Sequence, residues 1–111
     1  MPRRRYRVQW AEVAVRDLEE LVGYIASDSA IHADRVLTRL ETRAAALESS
    51  AGRGRIVPEL LHFGMRSWRE LFVRPYRIVY RIEGNTVTVL GVFDERRDLE
   101  DVLLERLLRD A

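Results

Sequence analysis

The stretch VRPYRIVYRI at residues 73–82 alternates apolar and basic side chains with the two-residue period of a β-strand. Alternate residues of a strand face opposite sides of a sheet, so the apolar side chains share one face: Tyr76, Ile78, Tyr80 and Ile82. We expect this face to lie against the core. The other face carries Arg77, Val79 and Arg81. We expect it to stay open, because an antiparallel sheet can have one solvated face.

The two guanidinium groups on that second face have two interpretations. A solvated sheet face is commonly decorated with charge, and such decoration needs no ligand. Alternatively, like charges crowded beside Val79 favour a surface that an acidic or phosphorylated partner covers. The residues alone leave both interpretations open.

Two further β-rich runs flank this strand, WRELFVRP at 68–75 and TVTVLGVF at 86–93. Pro75 and the EGN sequence at 83–85 leave room only for tight turns, so the three runs predict an antiparallel meander. YRVQW at 6–10 also alternates and predicts a short first strand.

Helical periodicity separates the first strand from the meander. Residues 11–25 place their apolar side chains on one helical stripe: Ala14, Leu18, Leu21, Val22 and Ile25. A second helix over 30–48 has its own stripe: Ala33, Val36, Leu37, Leu40, Ala44 and Leu47. The ASDS sequence at 26–29 joins and caps them, which predicts a helical hairpin. Residues 48–60 contain Ser, Gly and Pro and predict a loop that leads into extended chain.

The tail at 98–110 returns to helical spacing, with apolar residues at Leu99, Val102, Leu103 and Leu107. Its apolar stripe packs either on its own sheet or on another chain, and the spacing does not choose between them. The element order predicts one α+β domain over 1–111. This domain has an N-terminal strand, a two-helix hairpin packed on a twisted antiparallel sheet, and a C-terminal helix.

The composition, 47% hydrophobic and 33% charged, is that of a globular domain rather than of a disordered chain. No apolar run approaches the roughly 20 residues of a membrane helix, and the start MPRRRYRVQW lacks the apolar segment of a secretion signal. We therefore expect a cytoplasmic protein with no membrane partner. The chain has no cysteine, and His32 and His62 lie far apart without a third ligand, so we expect neither a metal site nor a cofactor.

Other motifs keep more than one interpretation. All 19 basic residues are arginines, whose guanidinium groups suit bidentate recognition of carboxylate or phosphate. GRGR at 52–55 is either an anion-binding nest or a plain flexible turn. The large aromatic residues belong to the core or its edge, or else stack on bases: Trp10, Trp68, Phe72 and Phe93.

Three segments resemble the RelE/ParE superfamily of toxins from prokaryotic type II toxin–antitoxin modules. They are DLEELVGYI at 17–25, ALESSAGRGRIVPEL at 46–60 and the run from Arg69 to Asp98. PYRIVYRI at 75–82 is the most specific block, and the GR-x-VPEL pattern at 54–60 is similar to the ParE branch. The resemblance implies a helical hairpin packed on a twisted antiparallel sheet, as predicted above.

The superfamily has two main activities, so the resemblance implies two alternative functions for this chain. RelE-type members are ribosome-dependent mRNA endoribonucleases and need a proton acceptor, a proton donor and cations around the phosphate. If this chain is such a nuclease, its catalytic candidates are Arg69, Glu70, Arg77, Arg81 and Arg96. Of these, Arg77 matches the arginine of the YR pair and Arg96 roughly matches the C-terminal one.

ParE-type members inhibit DNA gyrase without chemistry of their own. This chain has no lysine at all, and neither Tyr nor His follows Phe93. Guanidinium groups are poor general bases, because their pKa lies above about 12. We therefore expect a ParE-like gyrase inhibitor with no catalytic residues, and a degenerate toxin kept as a DNA-bound co-repressor is a third interpretation.

The resemblance also implies partners. We expect a cognate antitoxin whose acidic, amphipathic segment lies along the hairpin and over the arginine-bearing sheet face. The predicted contacts are Arg77, Val79, Arg81, Leu18 and Leu21. DNA gyrase is the expected target, and we expect the toxin to reach DNA only indirectly, through the antitoxin.

Overall fold

Strand β4 (Tyr76–Glu83) is the middle strand of a five-stranded sheet. The computed structural model describes the backbone of residues 4–110 and the side chains of residues 4–108. Residues 1–3 and 111 of the predicted domain lie outside this part of the chain. The other elements follow in chain order: β1 (Arg7–Trp10), α1 (Glu12–Ala26), α2 (Ala30–Ala45), α3 (Leu47–Ser50), a 3-10 turn (Ala51–Arg53), β2 (Arg55–Ile56), α4 (Pro58–Leu61), β3 (Trp68–Val73), β5 (Thr86–Asp94) and α5 (Glu100–Asp110).

The predicted meander is confirmed, since β3, β4 and β5 pair in antiparallel register. β2 adds a two-residue antiparallel edge, and β1 pairs with β5 in parallel. The α+β class is therefore confirmed. The parallel direction of β1 could not be predicted, because the alternation of side chains along a strand does not show which way its neighbour runs. A register shift between Val79 and Tyr80 places Leu90 in a bulge of β5.

Helices α1 and α2 form the predicted hairpin and cover the apolar face of the sheet. The Ser29 side chain accepts a hydrogen bond from the backbone N–H of His32 at 3.1 Å, as expected of the cap between the helices. The core on this side includes Ala14, Val36, Leu40, Ala44, Leu47, Leu71, Ile78, Tyr80, Val87 and Val89. Ile78 and Tyr80 are fully buried there, so the predicted inward face of β4 is confirmed.

The expectation that the second sheet face stays open is wrong. α4 and α5 cover it, and a second core forms from Val57, Leu60, Trp68, Val79, Leu90, Phe93, Leu99, Leu103 and Leu107. Val79 is 0% exposed and Arg77 only 5%. The leucine stripe of α5 packs on its own sheet, because that arrangement removes apolar side chains of both elements from water. The sheet is thus enclosed between two helical layers.

Residues 46–61 are ordered rather than a plain loop. The Tyr80 hydroxyl donates to the Ala51 carbonyl at 2.6 Å and accepts from the Gly54 N–H at 3.0 Å. GRGR at 52–55 is therefore neither a free nest nor a flexible turn, since the N–H of Gly54 is already bonded. Helical turns of three or four residues are too short to leave a periodic pattern, which is why the sequence did not predict them.

The aromatic residues mostly join the core, as the first of their two interpretations held. Trp68 and Phe93 are buried in the second core, and Trp10 packs at the edge of the first. Phe72 lies between two guanidinium groups. The centroid of its ring is 4.7 Å from Cζ of Arg55 and 4.8 Å from Cζ of Arg74. Within residues 4–110, no helix combines the length and apolar character that crossing a membrane requires.

We predict that Gly54→Ala destabilises the fold by about 1–3 kcal/mol, the usual cost of overpacking. A Cβ at this position would overlap the Tyr80 hydroxyl and lie 2.7 Å from the carbonyl oxygen of Glu70. Gly52→Ala is the matched control, because its Cβ would meet no atom within 4 Å. Urea denaturation followed by circular dichroism measures both. Equal free energies of unfolding for the two variants would contradict the account.

Candidate functional site

Four charged residues form one ion-pair cluster on the second sheet face, with Arg77 and Glu70 buried at its centre, here called the Arg77 network. Arg77 Nη1 and Nη2 donate to the two carboxylate oxygens of Glu59 at 2.6 and 2.7 Å, and its Nε donates to Glu70 Oε1 at 2.5 Å. The other oxygen of Glu70 accepts from Arg55 Nε at 2.6 Å. Two arginines and two glutamates cancel in formal charge, so the cluster is neutral as a unit.

Four elements place the members of the network: β2, β3, β4 and α4. Arg55 of β2 lies directly opposite Glu70 of β3, and Glu70 lies opposite Val79 of β4. Arg77 is two residues before Val79, so it shares the face of Glu70. Glu59 comes from α4, whose first residue, Pro58, suits a helix start. The short helix therefore positions a carboxylate over an arginine that is 18 residues away in sequence.

Burial makes the pairing necessary. The Arg77 side chain is 6% exposed and that of Glu70 is 0% exposed. A buried charge without a partner is strongly unfavourable, whereas here every charged group has a hydrogen-bonded counterion. Hydrogen bonds from Arg77 lower the pKa of Glu59, and hydrogen bonds to Glu59 raise the pKa of Arg77. Both groups therefore stay ionised at neutral pH.

Arg81 lies in a different setting, on the wall of an open groove. The groove has a volume of about 560 Å³ and runs between the start of α1, the sheet and α5. Its lining is mainly apolar but includes Arg16 and Arg81: Ala11, Glu12, Val13, Arg16, Met65, Trp68, Arg81, Thr88, Leu90 and Leu107. The Arg81 guanidinium lies 5.0 Å from the Trp68 ring centroid and pairs with Glu83. Its Nε has no acceptor among the described residues.

The remaining predicted nuclease residues are dispersed. Arg69 points to the other side of β3, where it donates to the Gly54 carbonyl at 2.8 Å. Arg96 is exposed and paired with Asp94, and its hydrogen bonds lower the pKa of Asp94 to about 2. Of the five candidates, only Glu70 and Arg77 are joined by a hydrogen bond or ion pair in the described part of the chain.

The residues predicted to contact the antitoxin also lie in different parts of the structure. Arg77 and Val79 are buried, Leu18 and Leu21 are partly buried against the first core, and Arg81 alone faces the groove. Their role in antitoxin binding stays a prediction. A path for the antitoxin across the sheet face is closed in this structure, because α4 and α5 occupy that face.

Sequence reasoning missed several residues of the site. Glu59 was noticed only as a letter of the VPEL pattern, and a single carboxylate in a loop carries no signal of its partner. Asp17 Oδ2 accepts from Arg106 Nη1 at 2.5 Å and from the Val92 N–H at 3.1 Å. This ion pair connects α1 to α5. Its two residues are 89 positions apart in sequence, and the periodicity of side chains within one element does not predict contacts between residues so far apart.

A family model and a curated relative both associate the chain with toxins. Residues 8–99 match the family described as ParE toxin of type II toxin-antitoxin system, parDE. The chain is also 35% identical over 101 residues to Y4kP of Sinorhizobium fredii, a protein named as a candidate toxin. That alignment covers 89% of this chain and 98% of Y4kP.

Three solved structures are similar in fold. A chromosomal ParDE toxin–antitoxin system from P. aeruginosa matches with a TM-score of 0.66 at 18% identity, over 82% of this chain and 97% of that chain. The RelBE2 complex of Mycobacterium tuberculosis gives 0.61 at 24% identity, over 81% and 91%. A mutant of E. coli toxin RelE in the free state gives 0.63 at 19% identity, over 95% and 97%. At such identities the likeness extends to the fold alone.

We predict that Arg77→Met destabilises the protein by about 3–5 kcal/mol, the usual cost of removing one partner from a buried pair. Methionine keeps most of the aliphatic stem but leaves the carboxylates of Glu59 and Glu70 without their shared cation. Arg16→Met is the matched control, since its pair with Glu12 is 67% and 86% exposed and is expected to contribute less than about 1 kcal/mol. Chemical denaturation measures both variants. A loss below about 1 kcal/mol for Arg77→Met would show that the network does not stabilise the fold.

Proposed function

This chain belongs to the ParE toxin family of type II toxin–antitoxin systems, and on that premise we propose that it inhibits DNA gyrase in the cytoplasm and is neutralised by a cognate antitoxin. The alternative within the superfamily is mRNA cleavage on the ribosome. The observation that favours gyrase is the sequestration of the Arg77 network.

A nuclease of the RelE type needs cations that reach the scissile phosphate and stabilise its transition state. Arg77 does not meet this requirement here, because Glu59 occupies both of its Nη atoms and Glu70 occupies its Nε. To bind Arg77, a phosphate would have to displace the carboxylate of Glu59 or Glu70, and Arg77 itself is only 5% exposed. Glu70, the candidate proton acceptor, is 1% exposed and bonded to two guanidinium groups.

Tyr80 and the two histidines are no better placed than Glu70 for proton transfer to a phosphate at Arg77. The Tyr80 hydroxyl is bonded to Ala51 and Gly54, and burial raises its pKa. His32 is exposed on α2, and the ring of His62 lies edge-on against Phe63 with centroids 5.2 Å apart. Neither histidine forms a hydrogen bond or ion pair with the network in the described part of the chain. These contacts favour a toxin that acts by binding.

The groove beside Arg81 supports the antitoxin as a binding partner. Trp68, Met65 and Leu90 offer apolar surface to an inserted side chain, and Arg81, whose side chain is 40% exposed, offers positive charge. An antitoxin segment with an apolar residue next to a carboxylate satisfies both features. We therefore place the antitoxin contact here instead of across the covered sheet face.

We predict that purified toxin makes gyrase accumulate cleaved DNA and lose supercoiling activity, while messages on translating ribosomes stay intact. The reason is that the residues which would carry cleavage chemistry are internally neutralised. Supercoiling and DNA-cleavage assays, run beside an mRNA-cleavage assay on ribosomes, measure the two activities.

Each outcome of these assays selects one function. Message cleavage with unaffected gyrase would overturn the proposal in favour of the endoribonuclease. Inactivity in both assays, together with repression by the toxin–antitoxin complex on operator DNA, would identify a degenerate toxin that acts as a co-repressor. Gyrase trapping alone would support the proposal.

We predict that Arg81→Ala weakens the complex with the cognate antitoxin by about 2 kcal/mol, as expected when one partner of a desolvated charge pair is truncated. Titration calorimetry measures the change in Kd, which corresponds to roughly 30-fold. Arg7→Ala is the matched control, because Arg7 is exposed on β1 and does not line the groove. Equal affinity for wild type and Arg81→Ala would exclude this placement of the antitoxin.

A further inference from the structure

We propose that the exposed face of α2 that carries Arg35, Arg39 and Arg43 binds the phosphate backbone of duplex DNA. These residues, here called the arginine ladder, recur at intervals of four along one helix and are all exposed. The surface is separate from the groove beside Arg81 and from the Arg77 network. The biological setting of the ladder depends on the proposed action on gyrase, but its binding chemistry does not.

The ladder is a row of regularly spaced fixed charges. Residues four apart in an α-helix are about 6 Å apart along the axis and lie on one side, so the three guanidinium groups extend over roughly 12 Å. Asp34 and Glu41 belong to the same helix, but around its axis they lie at least about 100° away from each ladder arginine. The charges of α2 are thus segregated, with basic and acidic side chains on different faces.

The regular spacing of the ladder, together with the absence of ion pairs, distinguishes it from other exposed arginines. Among the described residues, half of the ten other exposed arginines have a carboxylate partner: Arg5 with Glu48, Arg16 with Glu12, Arg55 with Glu70, Arg74 with Glu95 and Arg96 with Asp94. None of the three ladder arginines has such a partner among the described residues, and Arg39 instead donates to the Arg74 carbonyl at 3.2 Å. Other arginines that lack a carboxylate partner in the described part do not form a row with regular spacing; Arg7 lies on β1, and Arg66 lies in the loop before β3.

A fourth guanidinium extends the row. Arg53 follows α2 in the 3-10 turn and lines the same small recess as Arg43. Like charges at this spacing repel each other and weaken a helix slightly, and a bound polyanion would relieve that repulsion. The row therefore has a physical reason to attract an anion with several charges.

Duplex DNA fits this row better than an acidic peptide. DNA carries one phosphate charge for about every 1.7 Å of its axis in a stiff, regular array, whereas carboxylates on a flexible peptide would have to be ordered first. Guanidinium groups also bind phosphate in a bidentate manner. Gyrase acts on duplex DNA, so a toxin bound to it would have this ligand nearby. The ladder thus gives a direct route to DNA, beyond the indirect route through the antitoxin that the sequence predicts.

The test is the salt dependence of binding between free toxin and a 20-base-pair duplex, followed by fluorescence anisotropy from about 50 to 200 mM salt. One phosphate contact for each ladder arginine and one for Arg53 predict a slope of log K against log salt of about −3.6, and each single Arg→Gln change in the ladder should reduce its magnitude by about 0.9. The triple variant Arg35→Gln, Arg39→Gln, Arg43→Gln should lose measurable binding. A matched triple variant at Arg7, Arg66 and Arg97 removes the same charge from separate exposed positions and should bind almost as wild type.

The outcomes distinguish this proposal from the proposed function. Equal loss in the two triple variants, or a slope near zero in wild type, would overturn the ladder as a DNA site. Displacement of the duplex by polyglutamate at a lower charge concentration than by a second duplex would overturn it in favour of an acidic protein partner. If wild-type toxin binds DNA through the ladder but does not trap gyrase, the ladder stands and the gyrase proposal falls. If gyrase is trapped equally by wild type and by a ladder variant that has lost DNA binding, the ladder has no part in the toxin's action.

Discussion

A guanidinium group buried inside a sheet has to be neutralised and hydrogen-bonded, and Arg77 imposes this constraint on the molecule. Glu70 satisfies it from the neighbouring strand, and Glu59 satisfies it from α4. Because Glu59 must reach Arg77, α4 is held over the second sheet face, where Leu60 and Val57 join the leucines of α5 in a second core. The pairing of one side chain is thus linked to the closure of a whole face.

The same constraint separates cations that stabilise the fold from cations available to partners. Arg55 and Arg77 are neutralised by glutamates of the same chain. Arg106 is paired with Asp17, and the Asp17 carboxylate also accepts a hydrogen bond from the backbone N–H of Val92, in the part of β5 that β1 does not pair with. The Arg81 side chain is 40% exposed on the wall of the groove, and the ladder on α2 has no carboxylate partner among the described residues. The function depends on such exposed groups, since a fold alone does not determine a function.

Much of the architecture could be predicted from local patterns. The alternation over 76–82 identified β4 and the face that packs under the hairpin, and the helical stripes identified α1, α2 and α5. Pro75 and the 83–85 turn set the order of the meander. Such features depend on contacts between near neighbours in sequence, which is why the spacing of residues reports them.

The sequence by itself determined the periodicity of each element, the inward face of β4 and the membership of the ParE toxin family. Only the tertiary structure decided whether Arg77 faces water or a carboxylate, because Glu59 lies in a short helix without periodic signal. It also decided that α5 packs on its own sheet, that Tyr80 orders the GRGR segment, and that β1 joins in parallel. The physical reason is that charge, burial and strand partners are set by groups far apart in the chain, while a sequence pattern records only which side chains are close along it.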